Sequence, residues 1–329
     1  MLHPQFANTN TNRLIESTMK QSIRTLGAFG LLGSFVFAGT VAVDTAAPAP
    51  TASADGFDQA RRPISNPTLF DLALPGTNVH PIFIYHGLPD TINTRLGNLP
   101  LGGDVQVYAL QFEFALNERL SIVATKDGYV DINPDNTLVG ESGFANLGAG
   151  LKYAFLLDPV SRTALSGTMT FELPTGNTDV FQGEGNGAVN LILNGLKLHE
   201  NWQFAGSVGA VIPFSNEQST SSFVSAHASY EVSKWFIPLV ELNWFHVIDA
   251  GDGGRLTPVS GIVEFEGSDF FNLGAANAHR NRDLVTAAFG FRSRITDSVD
   301  VGAAYEIPLT NEEDSLIDDR ITVDLIWKF

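Results

Sequence analysis

The sequence predicts an all-β protein, a transmembrane antiparallel up-and-down β-barrel of about twelve strands. Three observations predict it. From about residue 78 onward the chain breaks into segments in which apolar and polar residues alternate with period two. The connections between these segments alternate short and long. The final segment, Arg320 to Phe329, has the cleanest alternation and ends on an aromatic residue.

Successive side chains of a strand point to opposite faces, so alternation gives each segment one apolar and one polar face. In the last segment Ile321, Val323, Leu325, Trp327 and Phe329 share one face, and Arg320, Thr322, Asp324, Ile326 and Lys328 the other. Leu165, Met169, Phe171 and Leu173 alternate with Ser166, Thr168, Thr170 and Glu172 in the same way. Strands are expected over 78–87, 104–116, 119–132, 143–156, 162–174, 187–198, 201–213, 222–232, 235–247, 283–295, 298–309 and 319–329. Short turns fall at Asn117-Glu118, Asp158 to Ser161, His199-Glu200, Ser233-Lys234 and Thr296-Asp297. Long polar connections fall at 88–103, 133–142, 175–186, 214–221, 248–282 and 310–318. Segregation of loop length by parity is the layout of an outer-membrane barrel. Pro174, Pro213 and Pro308 end strands at the long-loop side, where a residue without an N–H stops the ladder. Trp202, Trp235 and Trp327 fall near the short-turn ends, as an interfacial aromatic girdle requires.

Ahead of the barrel, Met19-Lys20 to Arg24 is basic and Leu26 to Val43 is apolar. Small residues follow at Thr51 to Ala54. This is the layout of a secretory signal peptide. Residues 1–54 are therefore read as the export region, with Met19 as an alternative start, and 55–77 as a periplasmic extension. The barrel takes 78–329. No other segment reaches the ~20 apolar residues of a spanning helix. A net charge of −17 excludes the basic footprint of a nucleic-acid binder, and the absence of Cys removes disulfides and thiolate chemistry together.

Within the barrel, Leu147-Gly148-Ala149-Gly150-Leu151-Lys152-Tyr153 followed by Glu172-Leu173-Pro174-Thr175-Gly176 resembles the outer-membrane family named for the meta-cleavage pathway of phenol degradation. The resemblance spans roughly 104–329, and Arg62 to Pro67 lies outside its clear reach. It implies an outer-membrane barrel that acts in transport. The terminal strand ending in Phe329 resembles the signal read by the barrel-assembly machinery.

Enzyme constellations are sparse. His199, His227 and His246 lack the spacing of metal ligands. His227 shares a face with Ser225 and Ser229, which leaves a Ser-His hydrolase as an enzymatic rival. That face is the lumenal one, whereas a lipid substrate needs a nucleophile facing lipid. Asp131 to Asn136 resembles the start of a calcium loop but lacks its Gly and its terminal Glu, and reads as a turn.

The chemistry that remains is the lumen. Its expected lining is Glu113, Lys152, Glu172, Glu231, Glu241, Arg292, Arg294, Asp300, Glu306, Arg320, Asp324 and Lys328. Mixed charges there serve as structural pairs or as a selectivity lining. Residues 248–282 are long and apolar for a loop. They either extend strands nine and ten as an extracellular hairpin or, the preferred reading, fold into the barrel mouth with their acids facing Arg292 and Arg294. The expected function is an outer-membrane channel or passive transporter for small solutes, aromatic or hydrophobic compounds among them. No cofactor is expected, and the partners are membrane lipid, the assembly machinery and the solute. The alternatives are an outer-membrane lipid hydrolase and a structural or adhesive barrel.

Overall fold

The computed structural model describes residues 56–253 and 260–329. The expected export region, 1–54 with Met19, lies outside the described residues. The strands are β1 (Asn78–Gly87), β2 (Gly103–Ala115), β3 (Leu120–Lys126 and Tyr129–Pro134) and β4 (Glu141–Phe144 and Leu147–Asp158). They continue with β5 (Thr163–Leu173), β6 (Ala188–His199), β7 (Trp202–Pro213), β8 (Thr220–Tyr230) and β9 (Ile237–Asp249). The last three are β10 (Asp283–Arg294), β11 (Val299–Pro308) and β12 (Asp319–Lys328). Each pairs antiparallel with its sequence neighbours, and β1 pairs with both β2 and β12, so the sheet closes as a twelve-stranded barrel. Closure removes both edges, the condition for strands to cross a bilayer.

Two strands are interrupted where alternation alone shows nothing. In β3 the break falls at Asp127-Gly128. Gly128 has φ +122°, and a Cβ there would sit 2.6 Å from the Tyr108 carbonyl oxygen, so this irregularity needs glycine. In β4 the break falls at Ala145-Asn146. Asn146 turns inward, donating to Glu172 and accepting from the N–H groups of Gly176 and Gly183. That one side chain anchors the long β5–β6 loop.

The outer face is apolar, as the alternation requires. Leu110, Phe112, Phe114, Leu151, Phe171, Leu193, Leu242, Phe289 and Leu325 are all exposed on it. Trp202, Trp235 and Trp327 stand exposed at the short-turn end. A continuous apolar belt is a lipid-facing surface, and the protein is an outer-membrane β-barrel.

The interior departs from expectation. The segment ahead of β1, expected as a periplasmic extension, is folded into the lumen as a plug. At the short-turn end the Gly56 carbonyl accepts from Arg162 Nε at 3.0 Å, and Gln59 accepts from the same guanidinium at 2.8 Å. The chain then climbs the inside wall. Gln203 clamps the main chain of Arg61 through both its amide atoms, at 2.7 and 2.5 Å. Asn66 donates to Ser225 and the Pro67 carbonyl accepts from Gln111, each at 2.9 Å. After Thr68 the chain descends to β1. A twelve-stranded barrel is wider than its own side chains fill, and a polar segment with its own arginines is what such an interior accepts.

The opposite mouth is closed by the β9–β10 loop, which folds inward as expected. Val263, Phe265, Phe270, Phe271 and Leu273 are buried against Ile84, Leu101, Val105, Val107 and Ile132. The neighbouring loops lock onto it. Arg95 N donates to the Ile262 carbonyl at 2.9 Å, and Asp314 accepts from Asn93 and Asn281 at 2.7 and 2.6 Å. Plug and loop meet in the middle, where Thr68 Oγ1 donates to the Asp269 carbonyl at 3.0 Å. A cavity of about 30 Å³ remains at this junction, room for about one water.

Candidate functional site

The lumenal residues form linked polar groups, most of them completed by the plug or the mouth loop. Lys152, fully buried, lies 2.9 Å from Glu113 and 2.5 Å from Asp71 of the plug. Asp71 also pairs with Arg62 at 2.6 Å. Nearer the short-turn rim, Glu231 lies 3.2 Å from Arg61 and 3.6 Å from Arg294. Glu172 accepts from Lys126 and Asn146, each at 2.7 Å.

Arg292 and Asp324 form a bidentate pair at 3.0 and 2.9 Å, and Asp324 also meets His80 at 2.8 Å. The sheet register explains this pair. Arg292 and Asp324 both lie opposite Gly302 of β11, from either side. A Cβ on Gly302 would come within 2.6 Å of Asp324 Oδ1 and 3.1 Å of Arg292 Cζ. Glycine therefore opens the gap through which two side chains meet across an intervening strand. Arg292 Nε also donates to the Arg62 carbonyl at 3.0 Å, which ties the pair to the plug.

Arg320 is the matching group toward the other mouth. It pairs with Glu306 of the adjacent strand at 2.6 Å and with Asp269 of the mouth loop at 2.7 Å. Asn243 donates to Glu306 at 3.0 Å. The loop's acids were expected to face Arg292 and Arg294. Those two are held instead by Asp324 and Glu231, and Arg320 receives the loop. The error was one of depth, because alternation assigns a face and not a height along the barrel.

Glu241 is a heavily hydrogen-bonded carboxylate of the wall. It accepts from the N–H of Ile64 at 3.0 Å, from the N–H of Ser65 at 2.7 Å, and from Ser65 Oγ at 2.5 Å. His227 Nδ1 lies 2.6 Å away, and its Nε2 lies 2.9 Å from Ser229 Oγ. Ser229, His227 and Glu241 thus form a serine–histidine–carboxylate chain. It is buried in the lumen beneath the plug, and Ser229 lines neither the junction void nor the cavity at the short-turn mouth.

Two carboxyl groups outside the strands are both raised by burial but end with opposite net shifts. Burial raises Asp71, but Arg62 and Lys152 outweigh it and hold the carboxyl below its ordinary range. Burial raises Glu266 in the mouth loop, and the donors around it (Ser219 and the N–H groups of Gly267, Leu273 and Ala275) do not bring it back. Acid weakens the plug, and alkali weakens the loop.

All ten of Glu113, Lys152, Glu172, Glu231, Glu241, Arg292, Arg294, Glu306, Arg320 and Asp324 lie in this network or at its rim. Sequence reasoning missed partners inside the barrel, namely Arg61, Arg62, Ser65 and Asp71 of the plug, together with His80, and it gave Asp269 of the loop the wrong arginine. A signal for them existed. The expected lining held seven carboxylates against five cations, an imbalance that a dry interior does not tolerate. The arginines at 61 and 62 lay just upstream.

The sequence profile of the family described as “Putative MetA-pathway of phenol degradation” matches residues 83–305. No curated protein matches the chain by sequence. Among solved structures, the barrel is similar to an outer membrane channel from Pseudomonas putida F1. The TM-score is 0.56 at 16% identity, over 78% of this chain and 96% of that one. The NanC porin aligns with TM-score 0.46 and 8% identity, over 77% of this chain and 100% of its own. The translocator domain of the autotransporter NalP from Neisseria meningitidis aligns with TM-score 0.46 and 12% identity, over 77% and 88%. The chain thus shares its barrel fold with that Pseudomonas putida channel.

Proposed function

The chain belongs to that phenol-degradation family, and from this premise we propose that it is an outer-membrane channel for passive diffusion of small solutes, aromatic or hydrophobic compounds among them. The carrying observation is how the lumen is filled. Wall side chains alone do not close it. Two separable segments do, the plug at residues 56–77 and the mouth loop at 260–282, each bound by ion pairs and hydrogen bonds. Water can take over the polar contacts of the plug when it moves, whereas the mouth loop is held in addition by its apolar cluster of Val263, Phe265, Phe270, Phe271 and Leu273. The plug stays tethered to β1, so it returns to its seat as an intramolecular partner at high effective concentration.

Planar-bilayer conductance tests this reading. Refolded full chain is expected to conduct in small, brief steps. A barrel lacking residues 56–76, with 252–280 replaced by a short Gly-Ser linker, is expected to conduct steadily. A freed barrel that inserts and passes no ions would leave a structural or adhesive barrel as the reading.

A hydrolase reading is favoured by one observation, the Ser229–His227–Glu241 chain. We read it as an anchor for the plug, because Glu241 spends most of its acceptor capacity on Ile64 and Ser65. A fluorophosphonate probe is expected to leave the folded full chain unlabelled. Labelling that Ser229→Ala abolishes would establish the hydrolase.

A further inference from the structure

At the short-turn mouth a cavity of about 580 Å³ lies between the plug and the wall made by the start of β11, the end of β12, the start of β1 and the end of β2. It falls within the range of small-molecule sites, about 300–1,000 Å³. Its walls are of two kinds. Phe57, Leu72 and Leu74 of the plug and Leu157 and Ile326 of the barrel supply an apolar lining. The polar lining is mainly carboxylate. Asp58, Glu118 and Asp297 are exposed around the opening, and none of them pairs with a cation among the described residues.

Deeper inside is Asp300, almost wholly buried. Its Oδ2 meets Lys328 at 2.8 Å, and its Oδ1 has no hydrogen-bond partner among the described residues. A buried carboxylate oxygen without a donor is costly and rare in a folded protein. The other charged groups of the lining are already committed. Glu113 accepts from Lys152, Ser121 and the N–H of Gly76 on Oε1 and from Asn78 on Oε2 at 3.4 Å, Arg62 is held by Asp71, and Arg294 lies 3.6 Å from Glu231.

We propose that this cavity is a binding site for a small cationic amphiphile, an amine carried on a ring-sized apolar body. The protonated amine donates to Asp300 Oδ1 while Lys328 keeps Oδ2, and the apolar body lies against Phe57, Leu72, Leu74 and Ile326. The carboxylates at the opening favour approach of a cation and disfavour an anion. The site deepens the channel reading by naming a solute class. Because half of its wall is plug, it exists only while the plug is seated.

Calorimetric titration of refolded full chain in nonionic detergent, against protein-free micelles, tests the site with three matched probes. 2-Phenylethylammonium is expected to bind saturably at one site. 2-Phenylethanol is expected to bind at least about tenfold more weakly, and phenylacetate to give only the micelle background. Asp300→Asn is expected to weaken the ammonium by about tenfold or more and to leave the alcohol unchanged. Ala60→Trp, which fills the cavity from the plug side, is expected to abolish both. Equal affinity for the three probes, ammonium binding indifferent to Asp300→Asn, or heats no different from empty micelles would each overturn the proposal. The readout is independent of conductance. A freed barrel that conducts with no amine bound by the full chain sinks only the binding site, and amine binding with no conductance sinks only the channel.

Discussion

Leu325 and Asp324 are neighbours in sequence and lie in different solvents. Leu325 is exposed on the lipid face and Asp324 is buried in the lumen with Arg292 and His80. This division was legible from alternation alone, since a period of two leaves no freedom once one face is assigned. Leu325→Arg places a cation in hydrocarbon and should impair insertion, by about 2–4 kcal/mol near the midplane. Thr170→Arg, on the lumenal face, has Glu172 two residues along the same strand as a partner and should insert with a smaller loss. Heat-modifiable migration on gels reads both, and equal damage from the two would refute the facing assignment. What single residues did not reveal was height. Gly302 looks like any strand glycine, yet it sets which arginine meets which carboxylate, because the pair crosses the strand at that level.

The strands were legible as elements because each is specified by its own pattern and by a turn at each end. The mouth loop was half legible. Phe265, Phe270, Phe271 and Leu273 required burial somewhere, which gave its direction but not its partner Arg320. The plug was not legible as an element, because it has neither periodicity nor regular structure and several of its contacts, those to Gln203 and Glu241 among them, lie far along the chain. Its electrostatics give it a pH dependence. Asp71 has a folded-state pKa below the ordinary value, so its contribution is fully present above about pH 4 and is lost as pH falls through the folded value. Glu266 is raised, so the loop's contribution is present at low pH and is lost as pH rises through its folded value. On acidification, amide protection over 60–72, corrected for intrinsic exchange, is expected to fall while protection over 262–275 holds or increases. Asp71→Asn should remove the acid dependence of the plug. A pH response shared by both segments would show that they open as one unit.

For the whole molecule, the two segments form two closures along one axis. The sequence pointed to a single gate in the mouth loop, and on that view its removal alone opens the pore. With a plug seated beneath, the closures act as resistances in series, and removing the smaller leaves the larger in control. Replacing 252–280 alone should therefore raise conductance only modestly, and removing 56–76 alone likewise. The two changes together should exceed the sum of the single effects. The contact between Thr68 and Asp269 couples them further, because each segment caps the end of the other. Selectivity should separate them as well. Loss of the loop removes Asp269, leaves Arg320 with Glu306 alone, and shifts the open pore away from cations. Loss of the plug removes Arg61 and Arg62 together with Asp58 and Asp71, no net charge, and bares Lys152 as well as Glu231, so it should shift selectivity far less. Reversal potentials in a salt gradient measure both shifts. Loop replacement that alone matches the doubly freed barrel in conductance would mean that the plug is no barrier and that the mouth loop is the only gate.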